Sequence, residues 1–173
     1  MDMELITALV ERWRPETHTF HLAVGEATIT LQDVAVLFGL PVDGLPVTGT
    51  ADHHWPLVVE RLLGSCDSRK LKGSALKISW LRDNFRELPE DADEEQVKCY
   101  ARAYILMMMG GALFPDYSGG EVQVLYLPLL ADLDAARNYS WESATLAYLY
   151  RNLCKASRKN KSEIGGPLLL LQV

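Results

Sequence analysis

The segment from Trp13 to Gly49, WRPETHTFHLAVGEATITLQDVAVLFGLPVDGLPVTG, constrains the fold more tightly than any other part of the chain. Its hydrophobic pattern shifts from helical to alternating and back, and prolines and glycines punctuate the shifts. Leading into it, Ile6, Leu9, Val10 and Trp13 fall at i, i+3, i+4 and i+7, the stripe of an amphipathic helix that Pro15 ends. His18–Leu22 and Thr28–Leu31 are β-favouring runs around Gly25 and predict a hairpin. Thr30 precedes Asp33 at capping-box spacing, which predicts a short helix through Val34–Leu37 stopped by Gly39 and Pro41. Pro41–Ala51 holds two prolines and two glycines and reads as a loop.

Pro56 sits at a first-turn position of a helix predicted over Trp55–Leu63 and closed by Gly64. Gly64–Gly73 is polar and predicted exposed. Ile78, Leu81, Phe85 and Leu88 repeat at helical spacing until Pro89. The acidic run Glu90–Glu95 favours the positive end of the dipole of a helix predicted over about Asp93–Met109. The second half of that helix is apolar all round, which predicts burial, with Gly110-Gly111 ending it. Ser118–Gly120 is a turn and Leu125–Leu133 a short apolar helix. Ser140 caps a last helix over Trp141–Arg158 whose inward stripe is Trp141, Thr145, Tyr148, Leu149 and Leu153. With no internal repeat, the predicted fold class is mainly α: a single compact helical domain, residues 1–173, with one small N-terminal β-hairpin.

A hydrophobic share of 49% over 173 residues is enough to bury a core. The formal charge of −6 argues against a generally basic nucleic-acid binder and leaves only local basic faces. Cys66, Cys99 and Cys154 are odd in number and far apart, which suits a reducing compartment better than a disulfide framework. The first ten residues carry Asp2 and Glu4 and no basic stretch, against a secretory signal. No apolar run approaches the ~20 residues that span a bilayer. A cytosolic or nuclear protein without a membrane partner is expected. The closing run Pro167–Val173 is apolar, so it either folds back into the core or the natural chain continues beyond it.

Thr28–Pro41 resembles the first helix and turn of a helix-turn-helix, but the prolines and glycines that follow forbid the groove-reading second helix. A helix packed beneath the hairpin is the plainer reading. Two basic clusters are candidate nucleic-acid contacts: Arg69, Lys70, Lys72 and Lys77 at a loop-to-helix junction, and Lys155, Arg158, Lys159 and Lys161 at the end of the last helix. Neither is interleaved with aromatic residues for base stacking, and cations near a helix C-terminus have a structural reason of their own. His18 and His21, like His53 and His54, diverge, and no carboxylate or cysteine completes a set, so no metal is expected. No nucleophile elbow, P-loop or dinucleotide fingerprint occurs. The cysteines read as small buried hydrophobes and Met107–Met109 as core, so neither catalytic residue nor cofactor is expected.

The Trp13–Gly49 unit is followed, in order, by YARAYIL (100–106), GGALFP (110–115), YLPLLADL (126–133), YSWESATLAY (139–148) and IGGPLLLLQ (164–172). Together these phrases resemble the plant mobile domain, a family of transposon-related and domesticated plant proteins, over nearly the whole chain. The resemblance implies a nuclear protein connected with transposon silencing, gene expression and meristem maintenance. It further implies partnership with other plant mobile domain proteins and a phosphatase-like protein, and a natural chain running past Val173. Family labels such as "aminotransferase-like" find no matching residues, because no Schiff-base lysine, phosphate cup and pyridine-nitrogen carboxylate can be assembled. Nor does a metallophosphatase G-D-x-H-G motif occur. The expected function is a non-enzymatic nuclear interaction module, with Trp55, Tyr126, Leu168 and Leu170 as interface candidates. Sequence-specific binding of duplex DNA is the alternative and an enzyme of unrecognised type the remote one; a homo-oligomer is compatible with each.

Overall fold

Trp13 turns the chain out of its first helix. In the computed structural model, which describes residues 2–49, 52–158 and 164–172, α1 (Met3–Arg12) ends one residue before it. The chain continues through β1 (Trp13–Arg14), β2 (Thr19–Leu22), β3 (Gly25–Ala27) and α2 (Leu31–Phe38). Next come α3 (Trp55–Leu63), β4 (Leu71–Lys72), β5 (Ala75–Lys77), α4 (Ile78–Asn84) and α5 (Glu94–Met108). A π-helical turn (Met109–Leu113), β6 (Glu121–Gln123) and a 3-10 helix (Val124–Leu130) follow. The described elements close with α6 (Leu133–Ala136), α7 (Trp141–Ala156) and a 3-10 helix (Leu168–Leu171). The mainly-α reading holds. By packing, the chain divides into two compact units, Met1–Val47 with Ser140–Val173, and Thr48–Tyr139, and no linker in the sequence marks the divide.

The first unit is organised around Trp13. The helical stripe places this residue on α1, yet its backbone is extended and it pairs with Phe20 across an antiparallel sheet of order β1-β2-β3. The predicted hairpin thus gains a third strand. Its second strand is Gly25–Ala27, wholly before the predicted Thr28–Leu31, because Thr28–Thr30 lies outside the ladder and leads into α2. The Trp13 ring meets Phe20 edge-on at 4.9 Å and Tyr150 at 5.2 Å, and its indole N–H donates to Cys154 Sγ at 3.2 Å. Ile6, Val34, Leu149, Leu153 and the C-terminal Leu168, Leu170 and Leu171 complete this core. The apolar closing run therefore folds inward.

Thr30 and Asp33 form the predicted capping box: Asp33 Oδ2 accepts the Thr30 amide at 2.7 Å, and Thr30 Oγ1 accepts the Asp33 amide at 3.4 Å. Gly39, left-handed at φ 66°, closes α2. This helix packs chiefly on α7 and the C-terminal 3-10 helix, and its Val34 joins the core that holds Trp13 and Phe20 of the sheet. No helix occurs between Gly39 and His54 among the described residues, so the second half of a helix-turn-helix does not form.

The second unit packs α3, α4 and α5 with the 3-10 helix Val124–Leu130 around a sheet of order β4-β5-β6. Pro56 opens α3 and Gly64 closes it, both as the sequence requires. Gly64–Gly73, predicted polar and exposed, contains β4, whose Leu71 is buried and pairs with Leu76. Gly110 does not end α5; the chain continues through the π-helical turn, where this glycine lets the helix approach the sheet. A Cβ on Gly110 falls 2.7 Å from Val122 Cβ and 3.0 Å from Ile78 Cδ1, whereas one on Gly111 meets nothing within 4 Å.

Gly110→Ala should therefore cost about 1–3 kcal/mol, because two Cβ atoms cannot separate by rotamer change. Gly111→Ala should stay within about 0.5 kcal/mol of the parent; denaturant unfolding of both variants checks the contrast. The amide and hydroxyl of Thr30 hold the Asp33 carboxyl below its usual range. A depressed folded pKa gives stability that is present above the unfolded value and lost as pH falls through the folded one. Thermal melts between neutral and acid pH should show a smaller loss in Asp33→Ala than in the parent.

Candidate functional site

Helix α5 carries the features of greatest functional interest, and its two faces do different things. Asp93 caps it, accepting the Gln96 amide at 2.8 Å, while Gln96 reaches back to the Asp93 amide at 2.9 Å. On the inner face, Arg102, Ala103 and Leu106 are buried, as is Met109 at the start of the π-helical turn. Arg102 is only 4% exposed, and its guanidinium is held almost entirely by main-chain oxygens. Nε donates to the Leu130 carbonyl at 3.0 Å, Nη1 to the Leu62 carbonyl at 3.1 Å and Nη2 to the Ala131 carbonyl at 2.9 Å. These carbonyls belong to the C-terminal ends of α3 and of the 3-10 helix Val124–Leu130, where backbone acceptors lack intrahelical partners and negative dipole ends collect. Nη1 also meets Glu95 Oε1 at 3.2 Å.

A cleft of about 590 Å³ lies beside Arg102, lined also by Arg61, Glu95, Lys98, Asp132 and Asp134. Most of these charges already have work. Lys98 Nζ stands 2.6 Å from Glu94 Oε1, which holds the ammonium above its usual range. Asp132 Oδ1 accepts the amides of Asp134 and Ala135 at the start of α6. The cleft is an electrostatic joint, with cations and carboxylates interleaved.

The outer face of α5 departs from expectation. The apolar second half predicts burial on every side, yet Tyr104 is 49% and Met108 69% exposed, with Val97 exposed on the same side. Tyr104, Met107 and Met108 form one wall of an apolar groove of about 360 Å³, Arg82 and Arg86 of the α4 end form the other, and Phe85 lies between them. Phe85 is buried and packs edge-on against Tyr100 at 5.1 Å, giving the groove a rigid floor. The Tyr104 hydroxyl donates to the Arg86 carbonyl at 3.3 Å and ties the walls together.

The residues chosen from the sequence fare differently. Trp55, Leu168 and Leu170 are buried in the cores, and Tyr126 is half-buried and stacked on Phe114 at 4.4 Å, so these four do not form an exposed interface. Arg69 is closed by Asp67 at 3.0 Å and Lys77 by Glu121 at 2.8 Å, while Lys70 and Lys72 stay exposed on the β4 side. The first cluster thus spans the β4–β5 hairpin up to Lys77 at the N-cap of α4, with two of its four cations paired to carboxylates. Lys155 and Arg158 are exposed at the end of α7; Lys159 and Lys161 lie outside the described residues. His18 occupies a left-handed turn at φ 55°, not a strand, and stacks on Tyr150 at 5.2 Å. Burial pushes the Cys66 and Cys99 thiols up, away from thiolate chemistry. Among the described residues no group of three or more His, Cys, Asp or Glu side chains is placed to hold a metal ion.

Glu142 carries no signal in the sequence. It is fully buried in the first turn of α7, where its Oε1 accepts from Ser140 at 2.5 Å and Ser143 at 3.0 Å, and its Oε2 has no hydrogen-bond partner. Ser140 occupies the N-cap position, yet its hydroxyl serves Glu142 and makes no side-chain cap. For Arg102 the available signal was a lone cation among small and apolar residues on a helix face. For Tyr104 and Met108 it was an apolar helix with more faces than it has neighbours.

Comparison with known proteins adds a family. The plant mobile domain model matches residues 1–173. From Arabidopsis thaliana, the "Serine/threonine-protein phosphatase 7 long form homolog" is 55% identical over 174 residues, covering 100% of this chain and 13% of that protein. "Protein MAIN-LIKE 2" is 50% identical over 173 residues, 99% of this chain and 26% of its own length. "Protein MAINTENANCE OF MERISTEMS" is 41% identical over 174 residues, 99% and 36% respectively. The chain thus spans about a third or less of these relatives. No solved structure matches.

Arg102→Met should cost at least about 2 kcal/mol, since the buried carbonyls of Leu62 and Leu130 lose their donors at about 1 kcal/mol or more each and the part-buried Ala131 carbonyl loses a third. Arg102→Lys should recover only part, because an ammonium cannot reproduce the planar fork. Guanidinium chloride titration followed by circular dichroism checks the order parent, Lys, Met.

Proposed function

The chain belongs to the plant mobile domain family, and from that membership we propose that it is a non-enzymatic interaction module of a nuclear protein acting in chromatin or transposon regulation. Transposon silencing, gene expression and meristem maintenance are the processes this reading assigns to it. Its partners are other plant mobile domain proteins and a phosphatase-like protein. The observation that carries the reading is the α4–α5 groove, an apolar surface left open on a helix whose other face is locked by Arg102. An exposed tyrosine and methionine over a buried aromatic floor suit protein contact. A reactive centre instead needs convergent acid, base or nucleophile groups, and in the Arg102 cleft the charged groups largely serve one another and the helix ends.

Direct duplex binding draws less support. Two cations of the first basic cluster are closed by carboxylates, which leaves Lys70 and Lys72 as its open charges. Titrating the purified chain with the matching region of MAIN-LIKE 2, in parallel with a duplex DNA library and phosphoester substrates, separates these readings. Saturable binding to the protein region, with no turnover and no DNA affinity that steepens as salt falls, is expected. Phosphoester turnover, or tight salt-dependent DNA binding without protein binding, would overturn the proposal.

A further inference from the structure

We propose that the α4–α5 groove binds a short amphipathic helix of a partner protein, with apolar anchors flanked by carboxylates. This rests on the interaction-module reading and specifies what the module grips. Val97, Tyr104 and Met108 lie at i, i+7 and i+11 on α5, and all three are exposed. At 1.5 Å per residue their stripe is roughly 16 Å long, the length of about three helical turns. A ligand helix laid along α5 therefore meets apolar surface over its whole contact, with the groove proper at the Met108 end.

The groove has the size and chemistry for anchors. Its volume of about 360 Å³ accepts one or two large side chains. Phe85 gives a rigid aromatic floor, while Met107 and Met108 supply unbranched, polarisable walls that adapt to the shape of what enters. Helix-in-groove recognition uses this pairing of a fixed floor with adaptable rims.

Charge selects the partner. Arg82 and Arg86 are the charged residues lining the groove, and no carboxylate lines it. Both are exposed, and Arg86 has only a loose contact of 4.0 Å with the exposed Glu87. The chain as a whole carries −6, so two arginines bordering an apolar groove run against the general charge of the molecule. Their stems extend the apolar wall and their guanidinium groups sit where carboxylates beside an anchor would arrive. A basic helix meets like charge at the same place, and this discriminates against it.

A random peptide library displayed on phage, selected on the purified chain, tests the proposal. Enriched peptides should carry aromatic or long aliphatic residues at helical spacing with flanking Asp or Glu. Affinities of the enriched peptides should fall at least about tenfold in Met108→Lys and again in the double variant Arg82→Glu, Arg86→Glu, the equivalent of about 1.4 kcal/mol each. The double variant should also shift selection towards Lys and Arg. These residues are exposed, so unchanged circular dichroism is expected for all variants. Enrichment of basic or uncharged peptides, or binding untouched by the groove variants, would overturn the proposal. So would concentration-dependent dimerisation of the parent that Met108→Lys abolishes, since the occupant would then be a second copy. If MAIN-LIKE 2 binds parent and groove variants equally, the interaction reading stands and the groove is not its site.

Discussion

The guanidinium of Arg102 decides how the second unit is put together. It donates to carbonyls at the ends of two different helices and draws on one exposed carboxylate, so its charge is balanced mainly by helix-end dipoles. A planar fork with fixed donor directions fixes the rotation of α5 about its axis as well as its position. Tyr104 lies two residues further along, about 200° round the helix, so locking Arg102 inward turns Tyr104 outward. Exposure of the Tyr104–Met108 face is thus a consequence of how the opposite face is anchored.

The first unit achieves order by another route. A single indole joins β1, β2 and α7, because Trp13 contacts Phe20, Tyr150 and Cys154 from residues far apart in the chain. The leucines of the C-terminal run close the same core. The buried polar groups of this unit cluster at the start of α7, where Glu142 is served by two serine hydroxyls through one of its oxygens. Each unit therefore places a charged or aromatic side chain at the point where segments distant in sequence meet.

Local chemistry was readable residue by residue. Thr30 with Asp33, Pro56 with Gly64, and Gly39 act through their nearest neighbours, and the structure uses them as the sequence implies. Readings that depended on partners distant in sequence went astray. Trp13 fits the α1 stripe, yet it is extended because Phe20 pairs with it. Gly110 reads as a helix terminator, yet it is required by Val122 twelve residues on. Trp55, Leu168 and Leu170 read as interface residues and are core, whereas Tyr104 and Met108 read as core and are exposed. Periodicity reports that a face is apolar; whether another element covers it is a tertiary fact. The family, by contrast, is legible along the whole chain, because its phrases occur in order from Trp13 to Gln172 and the family model matches residues 1–173.

The most direct measurement is methyl NMR of the methionines during titration with the matching region of MAIN-LIKE 2. The chain has five methionines, and they sample both units. The account expects the Met107 and Met108 methyl resonances to shift with saturable dependence on partner concentration while Met3, on α1, stays in place. Formation of the complex with Met107 and Met108 unmoved would contradict it.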